Sequence, residues 1–277
     1  MMEETVTLIY CLCDEFLCAY GYTDDPQAEV TTAEVMTVPL VAATFFCGNQ
    51  ERGRIYLKSH RIFSRVLSRS RLNRRLHAIP EEVWQALFAV LAASFKATNE
   101  TQEYIIDSFP VPVCDNIRIR RCKLYPKDRG EEFRGYVASK RRYFYGLRVH
   151  LLVTARGEPV EFCLAPGAEN DLVPFRDFGL DLPEGAVIFA DKLYTDYGYE
   201  DLLKELGIEL VSLRKENSKR PRPGWEEYYN RVVRKRVETA NSQITSLFPK
   251  AIHAVTPQGF ELKVFCFVLA FAFQSLG

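Results

Sequence analysis

Three acidic residues, Asp107, Asp191 and Glu238, have the type and the order that metal-dependent phosphodiester chemistry requires. In that chemistry negative charge gathers on the attacking and leaving oxygens, and two Mg²⁺ ions roughly 3.5–4 Å apart can hold both. Carboxylates are the natural ligands of such hard cations, so acids from separate elements must converge. We therefore predict that these residues form the catalytic and metal-binding centre, with Mg²⁺ as cofactor and Mn²⁺ as a substitute.

Each acid alone has an ordinary structural explanation. An aspartate at a strand end often only forms a turn, and a glutamate on a helix is usually solvated. Their succession on two strands and then a helix favours the functional interpretation, because a mixed sheet with flanking helices can bring those positions together.

Two predicted strands carry the aspartates. Residues 104–109 are a run of β-branched and aromatic residues around Asp107, followed by Pro110 and Pro112 as breakers. Residues 187–191 are apolar and end on Asp191. The other predicted elements of this region are strands 143–154, 160–164 and 208–213 and helices 171–178, 197–206 and 225–247, the last of which carries Glu238.

The first hundred residues have a different character. Apolar residues recur there at helical spacing, Thr31 and Glu34 form a capping box, and no strand is evident, which predicts four or five helices. We predict a helical DNA-binding domain over residues 1–100, followed by a catalytic α/β domain over 101–277 that is a mixed sheet with flanking helices.

The net charge of zero, from 36 basic and 36 acidic residues, argues at first against a nucleic-acid partner. By segment, however, the charge alternates strongly. It is −8 for residues 1–50, +8 for 51–80, +7 for 108–150, −9 for 151–211 and +6 for 212–236. Alternation of this kind is typical of a protein that holds a polyanion along selected surfaces, although solvated helix faces explain any single block equally well.

Several segments carry a resemblance to a known family. They are residues 104–110, 135–146, 149–151, 190–196, 214–220, 236–239 and 248–256. These segments resemble the transposases of insertion-sequence family 982. The resemblance implies Asp107, Asp191 and Glu238 as the acidic triad, a ribonuclease-H-like catalytic domain, a divalent metal and recognition of terminal inverted repeats.

Two departures from the pattern concern individual residues. Related transposases carry a Tyr, Arg, Glu and Lys signature on the helix that bears the catalytic glutamate. Here Arg234 and Glu238 fit this signature, but Arg231 and Thr245 stand at the Tyr and Lys positions. An asparagine precedes Asp171 where a histidine is expected. Asp171 is thus a candidate for an auxiliary role, but an acid favoured by its place at a helix N-terminus is the preferred explanation.

Basic side chains are the predicted DNA contacts. Residues 68–77 could be the second helix of a helix-turn-helix with Leu72 and Leu76 packed inward, or a solvated basic helix. The other contacts would position phosphates without reading bases. The full predicted set is Arg69, Arg71, Arg74, Arg75, Lys140, Arg141, Arg142, Arg214, Lys215, Lys219, Arg220 and Arg234.

The predicted function is a DNA transposase that cuts at insertion-sequence ends and transfers the strand into target DNA. A metal-dependent nuclease without strand transfer and an inactive DNA-binding regulator are the alternatives. The expected partners are double-stranded inverted repeats, target DNA and further copies of the chain on DNA. A cytoplasmic, nucleoid-associated prokaryotic location is expected, because residues 264–276 are too short to span a bilayer and the start lacks basic residues.

Overall fold

The computed structural model describes residues 2–137, 141–249 and 252–276. The helices are α1 (Met2–Tyr20), α2 (Thr32–Phe45), α3 (Gln50–Ser59), α4 (Arg69–Ala78), α5 (Glu81–Thr98), α6 (Leu172–Arg176), α7 (Tyr197–Glu205), α8 (Gly224–Leu247) and α9 (Pro257–Gln274). The strands are β1 (Glu103–Asp115), β2 (Arg134–Val137), β3 (Arg142–Thr154), β4 (Pro159–Pro166), β5 (Val187–Ala190) and β6 (Glu209–Ser212).

The chain divides into two compact units. The first comprises Met1–Leu91, Ile244–Ala254 and Gln258–Gly277, and the second comprises Ala92–Gln243 and Val255–Pro257. This division differs from the predicted one, 1–100 and 101–277, because the C-terminal helix α9 belongs to the first unit.

Apolar helices explain why the first unit includes both ends of the chain. Eleven of the 14 residues of α2 are buried, and α9 is also buried along most of its length. A helix that is apolar on all sides needs neighbours all round, which α9 finds in this unit. The predicted capping box begins α2: the amide of Glu34 donates to Thr31 Oγ1, and the amide of Thr31 donates to Glu34 Oε2.

The second unit is built on a mixed six-stranded sheet. The strand order is β2-β3-β1-β5-β6, and β4 also pairs with β3. Strand β3 is antiparallel to β1, β2 and β4, whereas β5 is parallel to both β1 and β6. The predicted mixed sheet, preceded by helices, is therefore confirmed.

Strand β1 is longer than the sequence predicts. It continues to Asp115 through Pro110 and Pro112, although we expected these prolines to end it. Among the described strands, β5 pairs with β1 only as far as Ile105. Beyond Ile105, β1 is hydrogen-bonded to β3 on one side, and its other side is an edge of the sheet. Proline is tolerated on such an edge because its missing N–H breaks no ladder there.

Within the described ranges, no helix combines the length and the apolar composition that crossing a membrane demands.

A buried ion pair joins α7 to the end of β6. Both terminal nitrogens of Arg214 donate to Glu200, at 2.6 Å each, and the two side chains are 5% and 9% exposed. The hydroxyl of Ser212 donates to the same carboxylate at 3.0 Å. This cluster fixes the start of the basic loop that follows β6.

We expect Glu200→Ala to lower the free energy of unfolding by about 3–5 kcal/mol, because it leaves the Arg214 guanidinium buried without its counter-charge. The neighbouring substitution Asp201→Ala is the matched control. It removes an exposed bidentate pair with Arg220, and we expect a much smaller loss because solvent screens exposed charges. Urea unfolding measures both, and equal losses would contradict the structural role of the buried pair.

Candidate active site

Parallel pairing of β1 and β5 brings Asp107 and Asp191 side by side. The last paired residues are Ile105 and Phe189. Asp107 and Asp191 each lie two residues beyond this pair, so they occupy matching positions on adjacent segments of the sheet. Asp107 is within the long strand β1, at the point where β5 ends, whereas Asp191 directly follows β5.

Helix α8 is fastened to the same end of the sheet by Asn230. This side chain is 1% exposed, and its amide donates to Val211 O at 2.6 Å and to Ala190 O at 3.4 Å. These carbonyls belong to β6 and β5. The helix is therefore held over the strand ends beside the aspartates.

Two further side chains of α8 reach the two aspartates. Arg234 Nη1 lies 3.7 Å from Asp191 Oδ1, and Asn241 Nδ2 donates to Asp107 Oδ2 at 3.1 Å. They are seven residues, about two turns, apart and share one face of the helix. One face of α8 thus contacts both acids of the pair.

Glu238 lies between these two residues in sequence but at the edge of their face. At 3.6 residues per turn it is rotated about 40° from Arg234 and about 60° from Asn241. Glu238 is exposed, and its side chain makes no hydrogen bond or ion pair to any described residue. In the described part of the chain, no three His, Cys, Asp or Glu side chains lie close enough to hold a metal ion together. The structure thus brings the two aspartates together but leaves the glutamate apart.

Burial perturbs the ionisation of Asp107. Removal from water, together with the nearby charges of Asp191 and Asp171, raises the pKa of Asp107 to about 6, against the opposing effects of a backbone hydrogen bond at Ser108 and of Arg234. The ionised carboxylate is thus incompletely compensated, which favours an added positive charge at this position.

The opposite face of β1 carries a second polar cluster. Ser108 Oγ donates to Asp171 Oδ1 at 2.6 Å, and Arg148 Nη1 lies 3.5 Å from the same oxygen. Burial lowers the pKa of the neighbouring His150 to about 4. Asp171 precedes α6 but makes no side-chain cap to it. Asp171 thus lies at a helix N-terminus, as the preferred explanation has it, and its carboxylate also accepts a hydrogen bond from Ser108, the strand residue next to Asp107.

The two asparagines of α8 were missed in the sequence. Asn230 and Asn241 are 11 residues apart, which returns them to within about 20° of the same line along the helix. They flank Arg234 in a stripe that also includes the buried Val237. Polar residues at such positions are the signal that could have identified them.

Helix α4 agrees only in part with its predicted role. Leu72 and Leu76 are buried, as predicted, and Arg69, Arg71 and Arg74 are exposed.

The fourth predicted arginine of α4 is bound internally. Arg75 donates to Asp24 Oδ1 at 3.1 Å, to Val30 O at 3.2 Å and to Thr32 Oγ1 at 3.2 Å, so its guanidinium is committed to the fold rather than to DNA. In addition, α3 and α4 are joined by the nine residues 60–68, whereas a helix-turn-helix uses a turn of three or four.

The basic loop after β6 contains one further correction. Arg214 is the buried partner of Glu200 and is not free for a phosphate. Arg220 is exposed but pairs with Asp201. Lys215 and Lys219 are exposed and pair with no carboxylate in the described ranges. The lysines, rather than Arg214, are the available cations of this loop.

The predicted cluster before β3 is described only in part. Arg141 is exposed and Arg142 is half-buried at the start of β3. Lys140 lies outside the described residues.

The raised pKa of Asp107 predicts a pH-dependent stability. Because the folded state favours the neutral acid, this stabilisation is present below about pH 4 and is lost as the pH rises through about 6. We expect Asp107→Asn, which mimics the neutral acid, to raise the free energy of unfolding by roughly 1–3 kcal/mol at about pH 8 and little at about pH 4. Urea unfolding without divalent cations measures this difference.

The exposed Asp128 provides the control for that experiment. We expect Asp128→Asn to give no comparable gain, because its carboxylate is already in contact with water. A gain from Asp107→Asn that is equally large at both pH values would mean that the burial of charge is not its cause.

Comparisons with known proteins bear on this site. No curated protein sequence matches the chain. Among solved structures it is similar to the piggyBac transposase in a cryo-EM synaptic complex with hairpin DNA, with 11% identity and a TM-score of 0.48 over 97% of this chain and 72% of that one. Residues 97–251 match the family model described as a transposase DDE domain. Because this match spans more than half of the chain, the protein belongs to the family of transposases with a DDE domain.

Proposed function

We propose that this transposase cuts DNA at the ends of an insertion sequence and joins the freed 3′ end to target DNA, with Asp107, Asp191 and Glu238 as its catalytic residues. The observation that carries the proposal is the matched position of the two aspartates beneath one face of α8, where Arg234 and Asn241 contact them. We also propose insertion-sequence family 982 as the narrower group, on the sequence segments that resemble it.

A divalent cation fits the donors at this position. Carboxylate oxygens are the ligands that Mg²⁺ and Mn²⁺ prefer. Asp107 is buried beside a second acid and its ionised form is poorly compensated. We propose that Asp107 and Asp191 hold the cation and that Glu238, on the adjoining edge of α8, completes the ligand set.

The bound cation would supply charge stabilisation to the attacking and leaving oxygens of the phosphodiester. The chain's own residues orient the reacting groups. Asn230 keeps α8 over the strand ends, and Asn241 holds the Asp107 carboxylate. Arg234 sits 3.7 Å from Asp191, at the distance of a weak ion pair, and we propose that it turns to a phosphate oxygen when DNA is bound.

Double-stranded DNA is the proposed partner, as terminal inverted repeat and as target. Arg141, Lys215 and Lys219 are exposed cations of the two basic loops, and they suit phosphate contacts that position the strand. We further propose that copies of the chain assemble on DNA to hold two ends.

Substitution of the acids tests the catalytic assignment. We expect Asp107→Asn, Asp191→Asn and Glu238→Gln each to lower Mg²⁺-dependent cleavage of a cognate end by at least about 10³-fold, because each removes a charged ligand at the reacting phosphate. Binding of the same DNA should change by less than about threefold, since phosphate affinity comes mainly from basic side chains. Cleavage is followed with labelled end DNA, and binding by fluorescence anisotropy.

Glu227→Gln is the matched control for Glu238→Gln. It is the same change on the same helix, 11 residues or about 16 Å earlier, and we expect cleavage to stay near that of the unsubstituted protein. Full cleavage by the three acid variants would refute the catalytic triad. DNA binding without any cleavage by the unsubstituted protein would support the regulator alternative.

A pre-cut end substrate separates the transposase from a nuclease. We expect the unsubstituted protein to join the 3′ hydroxyl of the pre-cut DNA end to a second duplex, which gives a longer labelled product. Release of fragments without any joined product would leave a metal-dependent nuclease as the function.

A further inference from the structure

A basic cleft lies in the first unit, between the end of α3 and the start of α4. Its volume is about 560 Å³. The residues that line it are Glu29, Val30, Lys58, Arg61, Phe63, Ser64, Arg65, Val66, Leu67, Ser68 and Arg71. Three of its four cations were not among the predicted DNA contacts.

Positive charge dominates the lining. Lys58, Arg61, Arg65 and Arg71 are all exposed, and Glu29 is the single acid that lines this cleft. The Glu29 carboxylate forms an ion pair with Arg65, and Arg71 acts on it electrostatically. In the described part of the chain, Lys58, Arg61 and Arg71 form no ion pair with any carboxylate. The positive charge of the cleft therefore exceeds the charge of the one carboxylate in it, so a further anion can bind there.

Arg61 of the cleft has a backbone conformation that is unfavourable for a residue with a side chain. The amide of Arg61 donates to Lys58 O and that of Ile62 to Leu57 O, which is the Schellman motif at the end of α3. Arg61 occupies its left-handed position, with φ at 54°, where glycine is usual and a side chain is disfavoured. An arginine at this position places a cation at the cleft despite that conformational cost.

We propose that this cleft binds phosphate groups of the DNA backbone, and that the phosphate displaces the Glu29 carboxylate from Arg65. The inference rests on DNA being the partner proposed above, but it does not depend on the catalytic acids. A small free phosphate shares the chemistry of the ligand. The backbone is favoured because the exposed Arg69 and Arg74 extend the positive surface along α4 beyond the cleft.

The charge of the surrounding segment supports a polymeric ligand. Residues 51–80 contain nine basic residues and one acidic residue. Arg54 and Arg75 are held by carboxylates within the fold. The exposed cations outside the cleft, such as Arg69 and Arg74, cannot reach a single small anion in it, whereas successive phosphates along a duplex can meet them.

Removal of the competing carboxylate is the most direct test. We expect Glu29→Gln in the full chain to raise the affinity for a random-sequence DNA duplex by about 3–10-fold at roughly 100 mM salt, because the phosphate no longer has to displace an anion. The matched control is Glu15→Gln, which makes the same change in net charge at an exposed residue of α1 outside the cleft. Fluorescence anisotropy measures both.

Removal of cleft cations should have the opposite effect. We expect Lys58→Gln and Arg61→Gln each to weaken DNA binding about 3–10-fold and to reduce the slope of log K against log salt by about 1. Arg52→Gln, at an exposed residue of α3 outside the cleft, should have a smaller effect. Circular dichroism and thermal unfolding establish that the variants are folded.

Each outcome of these measurements has a distinct meaning. If Glu29→Gln and Glu15→Gln raise affinity equally, or if the cleft variants match Arg52→Gln, the cleft inference is overturned. The same holds if inorganic phosphate stabilises the protein in a cleft-dependent manner while DNA affinity does not depend on the cleft, or if duplex RNA binds through the cleft more tightly than DNA. Absence of DNA binding by the unsubstituted protein would instead refute the proposed function itself.

Discussion

The short parallel ladder between β1 and β5 is the constraint on which the candidate active site depends. It places Asp107 and Asp191 at matching positions, although 83 residues separate them in sequence. A one-residue slip would turn Asp107 to the opposite face, because side chains alternate along a strand. Tyr104, Ile105 and Ile106 are fully buried, so a slip would also misplace core side chains, and the hydrophobic core thereby maintains the geometry of the acids.

Helix α8 contributes the second part of the site, because its helical repeat places three polar side chains on one face. A polar stripe along one face makes a structural contact at Asn230 and then meets each aspartate through Arg234 and Asn241. This arrangement leaves Asp107 buried and incompletely compensated, which costs stability in the absence of a cation. Active sites commonly keep such unfavourable charges because they serve the chemistry.

Basic residues in this protein serve two physical roles that look alike in sequence. Arg75 and Arg214 are held by internal carboxylates and carbonyls and contribute to folding. Arg69, Arg71 and Arg74 remain exposed on α4. The difference lies in whether a partner from a distant segment reaches the guanidinium, and this determines which cations are available to a polyanion.

The sequence alone determined the α/β class of the second unit, the elements that carry or adjoin Asp107, Asp191 and Glu238, and the capping of α2, because these depend on local periodicity and residue type. Only the tertiary structure decided which residues meet. It extended β1 past its prolines along an unpaired edge, moved α9 to the first unit, and exposed Glu238 at the edge of its helix face. Contacts of this kind join segments far apart in the chain, so no local pattern encodes them.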